Sequence, residues 1–310
     1  MYKKAVLVNI AEPALDKEFW DQLDTLVETK VLLSRDDPNL QAELSDCDCL
    51  LLGFQVDTQK DIIDAAPNLK YIGVLATAYG TIDLPYAVSK NILVTNLAGY
   101  STEAVAEFTL AILLYQMRNI EEGIKRGKAG SFDESGIRAR ELKNSQFGVV
   151  GLGSIGNRVA ELAAGFGANV SYWSREKKDS SLAYKTLDEI LSTSDYISIN
   201  VAETAETQNL LNMENISTIK AGAVIVSTVP PSIIDNVALA KRLEAGDITF
   251  ISDHGDSMSD SDLELLKKYE NVILVPGIGY ITDEARQLKQ EIFISNIKAA
   301  LAGAPTNVVS

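Results

Sequence analysis

Phe147-Gly148-Val149-Val150-Gly151-Leu152-Gly153-Ser154-Ile155-Gly156-Asn157-Arg158-Val159-Ala160 decides how the rest of the chain reads. A short β-branched run enters it, glycines follow at G-x-G-x-x-G spacing, and an apolar pattern of helical period leaves it. Each glycine has a task in a dinucleotide site. Gly151 allows the tight turn out of the strand. Gly153 lets backbone amides approach a pyrophosphate, and Gly156 lets the helix pack close to the sheet with its N-terminal N–H groups facing the phosphates. A glycine-rich turn alone is weak evidence; here strand and helix flank it on the sides the motif requires.

Composition bounds the rest. A chain of 310 residues with 46% hydrophobic content can bury a sizeable core and reads as two domains. A formal net charge of −15 excludes a nucleic-acid surface, which needs a basic face, and is most simply a solubility feature. No apolar run reaches the length of a membrane span. Met1-Tyr2-Lys3-Lys4 leads straight into the strand-like Ala5–Ile10, which is too short and too polar afterwards for a signal peptide. Cys47 and Cys49 are the only cysteines, and a C-x-C pair neither closes a disulfide easily nor holds a metal by itself. Buried thiols in a reducing compartment, a cytoplasmic location and no metal are the expectations.

Strand candidates in the first third are Ala5–Ile10, Lys30–Leu33, Cys49–Gly53, Tyr71–Leu75 and Ile92–Thr95, with helical patterns at Asp16–Val27, Asn39–Leu44 and Gln59–Ala65 between them. Such alternation predicts a parallel sheet with helices on both faces. Ser101 caps a helix running to about Met117 whose apolar residues cover too much of its circumference for one packed face. That helix is expected to pack between domains or subunits. Gly123–Asn144, glycine-rich and charged, reads as a mobile or partner-facing excursion. Alternation restarts with strands at Phe147–Val150, Val170–Trp173, Tyr196–Ile199, Ala223–Ser227, Thr249–Asp253 and Val272–Val275, the six a doubly wound dinucleotide domain needs. Asp283–Ala302 closes the chain as a helix before an extended tail.

The chain resembles the D-isomer-specific 2-hydroxyacid dehydrogenases, and within them glycerate and glyoxylate/hydroxypyruvate reductases. The likeness rests on Val94-Thr95-Asn96-Leu97-Ala98-Gly99-Tyr100-Ser101-Thr102-Glu103-Ala104-Val105-Ala106-Glu107 and on the glycine fingerprint followed by Gly165-Phe166-Gly167. It extends through Ile234-Asp235-Asn236-Val237-Ala238-Leu239, Pro276-Gly277-Ile278-Gly279-Tyr280 and Thr282-Asp283-Glu284-Ala285-Arg286 to the tail Ala302–Val309. It implies an α/β fold in which a doubly wound Rossmann NAD(P)-binding domain, about 98–282, is inserted into a smaller flavodoxin-like substrate domain, about 1–97 plus 283–310. It further implies a small-molecule substrate in the cleft between domains, and a homodimer built on the long helix after Ser101.

The family's chemistry needs an arginine on the substrate carboxylate, a histidine that passes a proton, and a glutamate that orients the histidine. The resemblance puts these at positions 230, 277 and 258, where this chain has Pro230, Gly277 and Met258. Gly277 is expected to leave a void the size of an imidazole. The loop Ala76-Thr77-Ala78-Tyr79-Gly80 departs too, with Ala78 for the usual glycine and Gly80 for the usual Asn or Asp, and Ala202 replaces a proline. Losing a positioned acid–base costs roughly 10²–10⁴ in rate, so no catalytic residue is assigned. His254, the only histidine, follows Asp253 directly, and strand alternation would send its side chain away from the site. Asp256 reads as a solvated loop acid, and Tyr79, Tyr100 and Tyr280, in stretches lining the family's cleft, as packing residues.

The cofactor side is better preserved. Gly151, Gly153, Ser154, Ile155 and Gly156 form the phosphate turn, and Val105, Thr207, Thr228, Val229 and Asp253 match cofactor-lining positions of the family. At the end of the second strand, Ser174 stands where an acid would bond the ribose 2′-hydroxyl of NAD, and Arg175 follows. A serine and an arginine suit a 2′-phosphate, which tips the expectation from NAD toward NADP. Two readings remain. One is an NAD(P)-dependent oxidoreductase of altered chemistry. The other is a catalytically inactive NAD(P)-binding sensor or interaction protein.

Overall fold

The computed structural model describes residues 1–54, 56–79 and 81–309, and they form two compact units, 1–100 with 282–310, and 101–281. The chain leaves the first unit once, builds the second, and returns.

In the first unit, β1 (Tyr2–Val8), β2 (Val27–Leu33), β3 (Cys49–Leu52), β4 (Tyr71–Val74) and β5 (Leu93–Thr95) form a parallel sheet in the order β2-β1-β3-β4-β5. This is the flavodoxin-like winding. β3 and β4 are buried throughout, as strands covered on both faces must be. Alternate side chains of β1, β3 and β4 feed two apolar clusters: Val6, Val8, Leu50 and Leu52 in one, Leu7, Cys49, Leu51 and Tyr71 in the other. Phe293, Ile294 and Ile297 of the helix Asp283–Leu301 complete the second cluster. Cys47 and Cys49 are buried free thiols belonging to different clusters, which keeps them apart. The helix expected through Val27 stops at Asp24, because Val27 already pairs with Tyr2 as the first residue of β2.

In the second unit, β6 (Gln146–Val150), β7 (Asn169–Trp173), β8 (Ala183–Tyr184), β9 (Tyr196–Ile199), β10 (Val224–Ser227), β11 (Thr249–Ser252) and β12 (Val272–Leu274) form a parallel sheet in the order β12-β11-β10-β9-β6-β7-β8. The sequence reading found six of these strands and missed β8. That strand is two residues long, exposed and without a β-branched residue, so only its pairing with β7 marks it. The winding reverses between β6 and β9, which is the switch point at which ligands bind such sheets.

The helix Thr102–Met117 buries Ala106, Leu110, Leu113 and Met117 in the cluster that also holds Val159, Ala160 and Ala163 of the helix Ser154–Gly165. The helix Ile120–Lys128 reaches into the stretch Gly123–Asn144. Glu121 and Glu122 near its N-terminus and Lys125, Arg126 and Lys128 in its last turn complement the helix dipole. Arg126 then folds the following segment back by donating to the carbonyls of Asp133 and Ser135.

Candidate functional site

Gly151, Ser174, Asn200, Thr228 and Asp253 each directly follow a strand of the seven-stranded parallel sheet, so they stand along its carboxyl edge. The glycines of the first turn separate by physical cause. Gly151 has φ +98°, and a Cβ there would lie 2.9 Å from backbone atoms of Asn200 and Val201. A Cβ on Gly156 would lie 1.9 Å from the Gly151 carbonyl oxygen, so only glycine lets the helix Ser154–Gly165 start this close to β6. Gly153 is different. It is exposed, its φ of −85° suits any residue, and a Cβ there would meet nothing within 4 Å. The fold gives no reason for a glycine at 153; a phosphate seated on the helix terminus does. Its N-cap, Gly153, has no side chain to cap the helix, which leaves the first N–H groups open to a ligand or water. Ser154 is exposed and Ile155 half-buried in its first turn. The residues present fit a dinucleotide.

The neighbouring loops are ordered by their own side chains. Thr207 is buried, donates to the Ala202 carbonyl at 2.7 Å and accepts the Thr204 N–H at 2.8 Å, which closes the loop after β9. Thr228 is half-buried and Val229 buried after β10, and Val105 is buried near the start of the helix Thr102–Met117. Ser174 is buried and donates to the Glu176 carbonyl at 2.6 Å, so its hydroxyl proton is spent on its own turn. Arg175 and Glu206 are both well exposed and form an ion pair.

Asp253 is buried and accepts the N–H of Ile278 at 3.0 Å and of Gly279 at 3.0 and 3.1 Å. Burial pushes its carboxyl above the usual range, against those two N–H groups and the neighbouring His254, which pull it down. Gly279 must lack a side chain, since a Cβ there would lie 2.5 Å from Asp253 Oδ2.

The surroundings of position 277 correct the expected direction of His254. A Cβ at Gly277 would sit in ordinary contact with its neighbours, the Asp253 carbonyl at 3.4 Å, His254 Nδ1 at 3.5 Å and Asp256 Oδ1 at 3.6 Å. His254 therefore does not point away. Strand β11 ends at Ser252, so alternation no longer governs residues 253 and 254, and His254 (φ −130°, ψ 41°) turns toward the Gly277 segment. Asp256 is not merely solvated either, because it accepts the Gly277 N–H at 2.9 Å. Met258 packs against the apolar cluster around Leu239 and Phe250, and Pro230 precedes a short 3-10 turn, Pro231–Ile233. Tyr280 is exposed in the second unit, while Tyr79 and Tyr100 pack partly against the clusters of the first. Gly80 lies outside the described residues.

Residues 110–279 match the model of the D-isomer-specific 2-hydroxyacid dehydrogenase NAD-binding domain. Glyoxylate reductase from Thermofilum pendens is 33% identical over 290 residues, covering 87% of this chain and 84% of that protein. The chain belongs to the D-isomer-specific 2-hydroxyacid dehydrogenases. Among solved structures of this fold, an acyclic imino acid reductase in complex with NADPH and D-Arg is 26% identical, with TM-score 0.88 over 99% of this chain and 100% of that one. D-lactate dehydrogenase from Aquifex aeolicus, complexed with NAD and lactic acid, is 27% identical, with TM-score 0.84 over 97% and 96%. Membership in this dehydrogenase family carries a nicotinamide cofactor with it. No helix among the described residues is long and apolar enough to cross a membrane.

Proposed function

We propose that this dehydrogenase relative is a nicotinamide-dependent reductase that acts on the carbon–nitrogen double bond of 2-imino acids rather than on 2-oxoacids. One observation carries the reading: the Asp256 carboxylate accepts the Gly277 N–H at 2.9 Å, so an anion stands where the family resemblance calls for a cationic proton donor. A 2-oxoacid needs a proton on its carbonyl oxygen as hydride arrives, and Pro230, Met258 and Gly277 offer none. A protonated imine already carries that proton on nitrogen. What it asks of the protein is a nearby negative charge, which Asp256 provides. The cofactor, when bound at the Gly151–Gly156 turn, supplies the hydride. The likeness to the imino acid reductase, at 26% identity, supports the same chemistry.

A second reading is favoured by His254. With Nδ1 3.5 Å from the Cβ direction of Gly277, its imidazole could take over the lost histidine's role on 2-oxoacids. The two readings part in one assay: NADPH and NADH oxidation with glyoxylate or pyruvate alone, and again with ammonium or methylamine present to form imines. Turnover only with amine supports the first. Turnover of the oxoacids alone, abolished in His254→Gln, replaces it with the second. No turnover in any mixture leaves an inactive NAD(P)-binding protein.

NADP(H) is the proposed cofactor, because Arg175 stands free of any acid at position 174 and needs only to leave Glu206 to meet a 2′-phosphate. We also propose a homodimer through the helix Thr102–Met117, where Phe108, Ile112, Leu114 and Tyr115 remain half-exposed. Sedimentation of wild type against Leu114→Glu tests it; a monomeric wild type would end that reading.

A further inference from the structure

The helix Asp283–Leu301 carries a buried stripe at helical spacing through Ala285, Phe293 and Ile297. The stripe's remaining position, four residues from both Ala285 and Phe293, is Lys289, where the packing pattern calls for an apolar side chain. Lys289 is half-buried, and its ammonium lies 5.9 Å from the centre of the Tyr100 ring. Among the described residues no carboxylate lies within ion-pair distance of it. Asp16, which meets this helix from the N-terminus of the helix Lys17–Asp24, is committed to other partners: Oδ1 accepts from Arg286 at 2.7 Å and Oδ2 from Gln290 at 2.8 Å.

A desolvated cation without a counter-ion is costly, and neither a cation–π contact at this range nor the nearby Arg286 compensates it. Burial first, and then the positive charge of Arg286, hold the Lys289 ammonium below the usual lysine range. An ammonium in that condition gains strongly from an arriving anion, because the anion restores the charge balance that the fold withholds.

We propose that Lys289, over the ring of Tyr100, is the cation that receives the carboxylate of this protein's small-molecule ligand. The assignment rests on the reductase reading for the identity of the ligand, but the anion site stands on Lys289, Tyr100 and Arg286 alone.

Oxalate and oxamate are suitable probes, titrated into the full chain with and without saturating NADPH. Lys289→Met should weaken oxalate at least about tenfold, and Lys289→Arg should retain most of the binding. NADPH affinity should not move in either variant. Lys289→Met should also melt at the same temperature as wild type or above it, since it removes an uncompensated charge from a buried stripe; a structural lysine would give the opposite. Oxalate binding that depends on Lys289 in a protein without reductase activity would sustain the anion site and overturn the reductase reading instead. Wild-type protein that binds neither probe, or Lys289→Met that binds oxalate as well as wild type, would overturn the proposal.

Discussion

Arg175 and Glu206 meet as an exposed ion pair that joins the turn after β7 to the loop after β9. Arg175 is the residue proposed to hold a 2′-phosphate, so in this arrangement Glu206 occupies the ligand's place. An exposed pair of this kind is worth little, roughly 0.2–1 kcal/mol, and a doubly charged phosphate with three acceptor oxygens displaces it readily.

Cofactor preference should follow from that competition. Glu206→Gln should tighten NADPH by about two- to fivefold and leave NADH unchanged. Arg175→Ala should weaken NADPH by about tenfold with little effect on NADH. In the double variant the Glu206 effect should vanish, because its target is gone. Fluorescence titrations read all three; a parallel change for both cofactors would remove Arg175 from the 2′ site.

The phosphate turn makes two glycine substitutions diverge. Gly153→Asp faces open space and should leave the melting temperature intact while abolishing NADH and NADPH binding, since it puts a negative charge at the helix terminus. Gly156→Ala meets the Gly151 carbonyl and should lower stability outright, by an amount on the order of 1–3 kcal/mol. Equal thermal losses in both variants would mean that Gly153 is structural after all.

Ordinary 2-oxoacids should be poor substrates. Steady-state reduction of glyoxylate, hydroxypyruvate or pyruvate should fall well below the ~10 s⁻¹ common for enzymes. Gly277→His alone should do little, because Met258 cannot orient it. The triple change Pro230→Arg, Met258→Glu and Gly277→His is the informative variant, with circular dichroism to check its folding. Wild-type turnover near the ordinary enzyme value would refute the expectation and make His254→Gln the next variant to assay.

Asp253 should make stability fall with rising pH over a defined window. Its folded carboxyl titrates above the unfolded value, so between the two the native state holds more protons than the unfolded one. The penalty builds from about pH 4 upward, to the raised folded value, and is constant beyond it. The stability difference, Asp253→Asn minus wild type, should therefore rise with pH across that window in thermal melts. A difference that does not change with pH would show that the N–H groups of Ile278 and Gly279 cancel the cost of burial.

The sequence by itself determined the two parallel sheets and the glycine turn, while the return of the chain to its first unit was implied only by the family resemblance. The first two are written in local signals, such as apolar runs of strand length and glycines at fixed offsets, that survive without knowledge of neighbours. The family resemblance also singled out positions 230, 258 and 277, where the residues Pro230, Met258 and Gly277 are read directly from the chain. Tertiary structure decided what fills the space around them. That His254 turns toward Gly277 depends on β11 ending at Ser252, a matter of pairing with β10 and β12 that no residue pattern encodes. That Asp256 finds the Gly277 amide, that Glu206 takes Arg175, and that Asp16 is held by Arg286 and Gln290, are contacts between residues tens to hundreds of positions apart. Sequence spacing sets which faces a residue can occupy; only the folded chain sets which charge waits there.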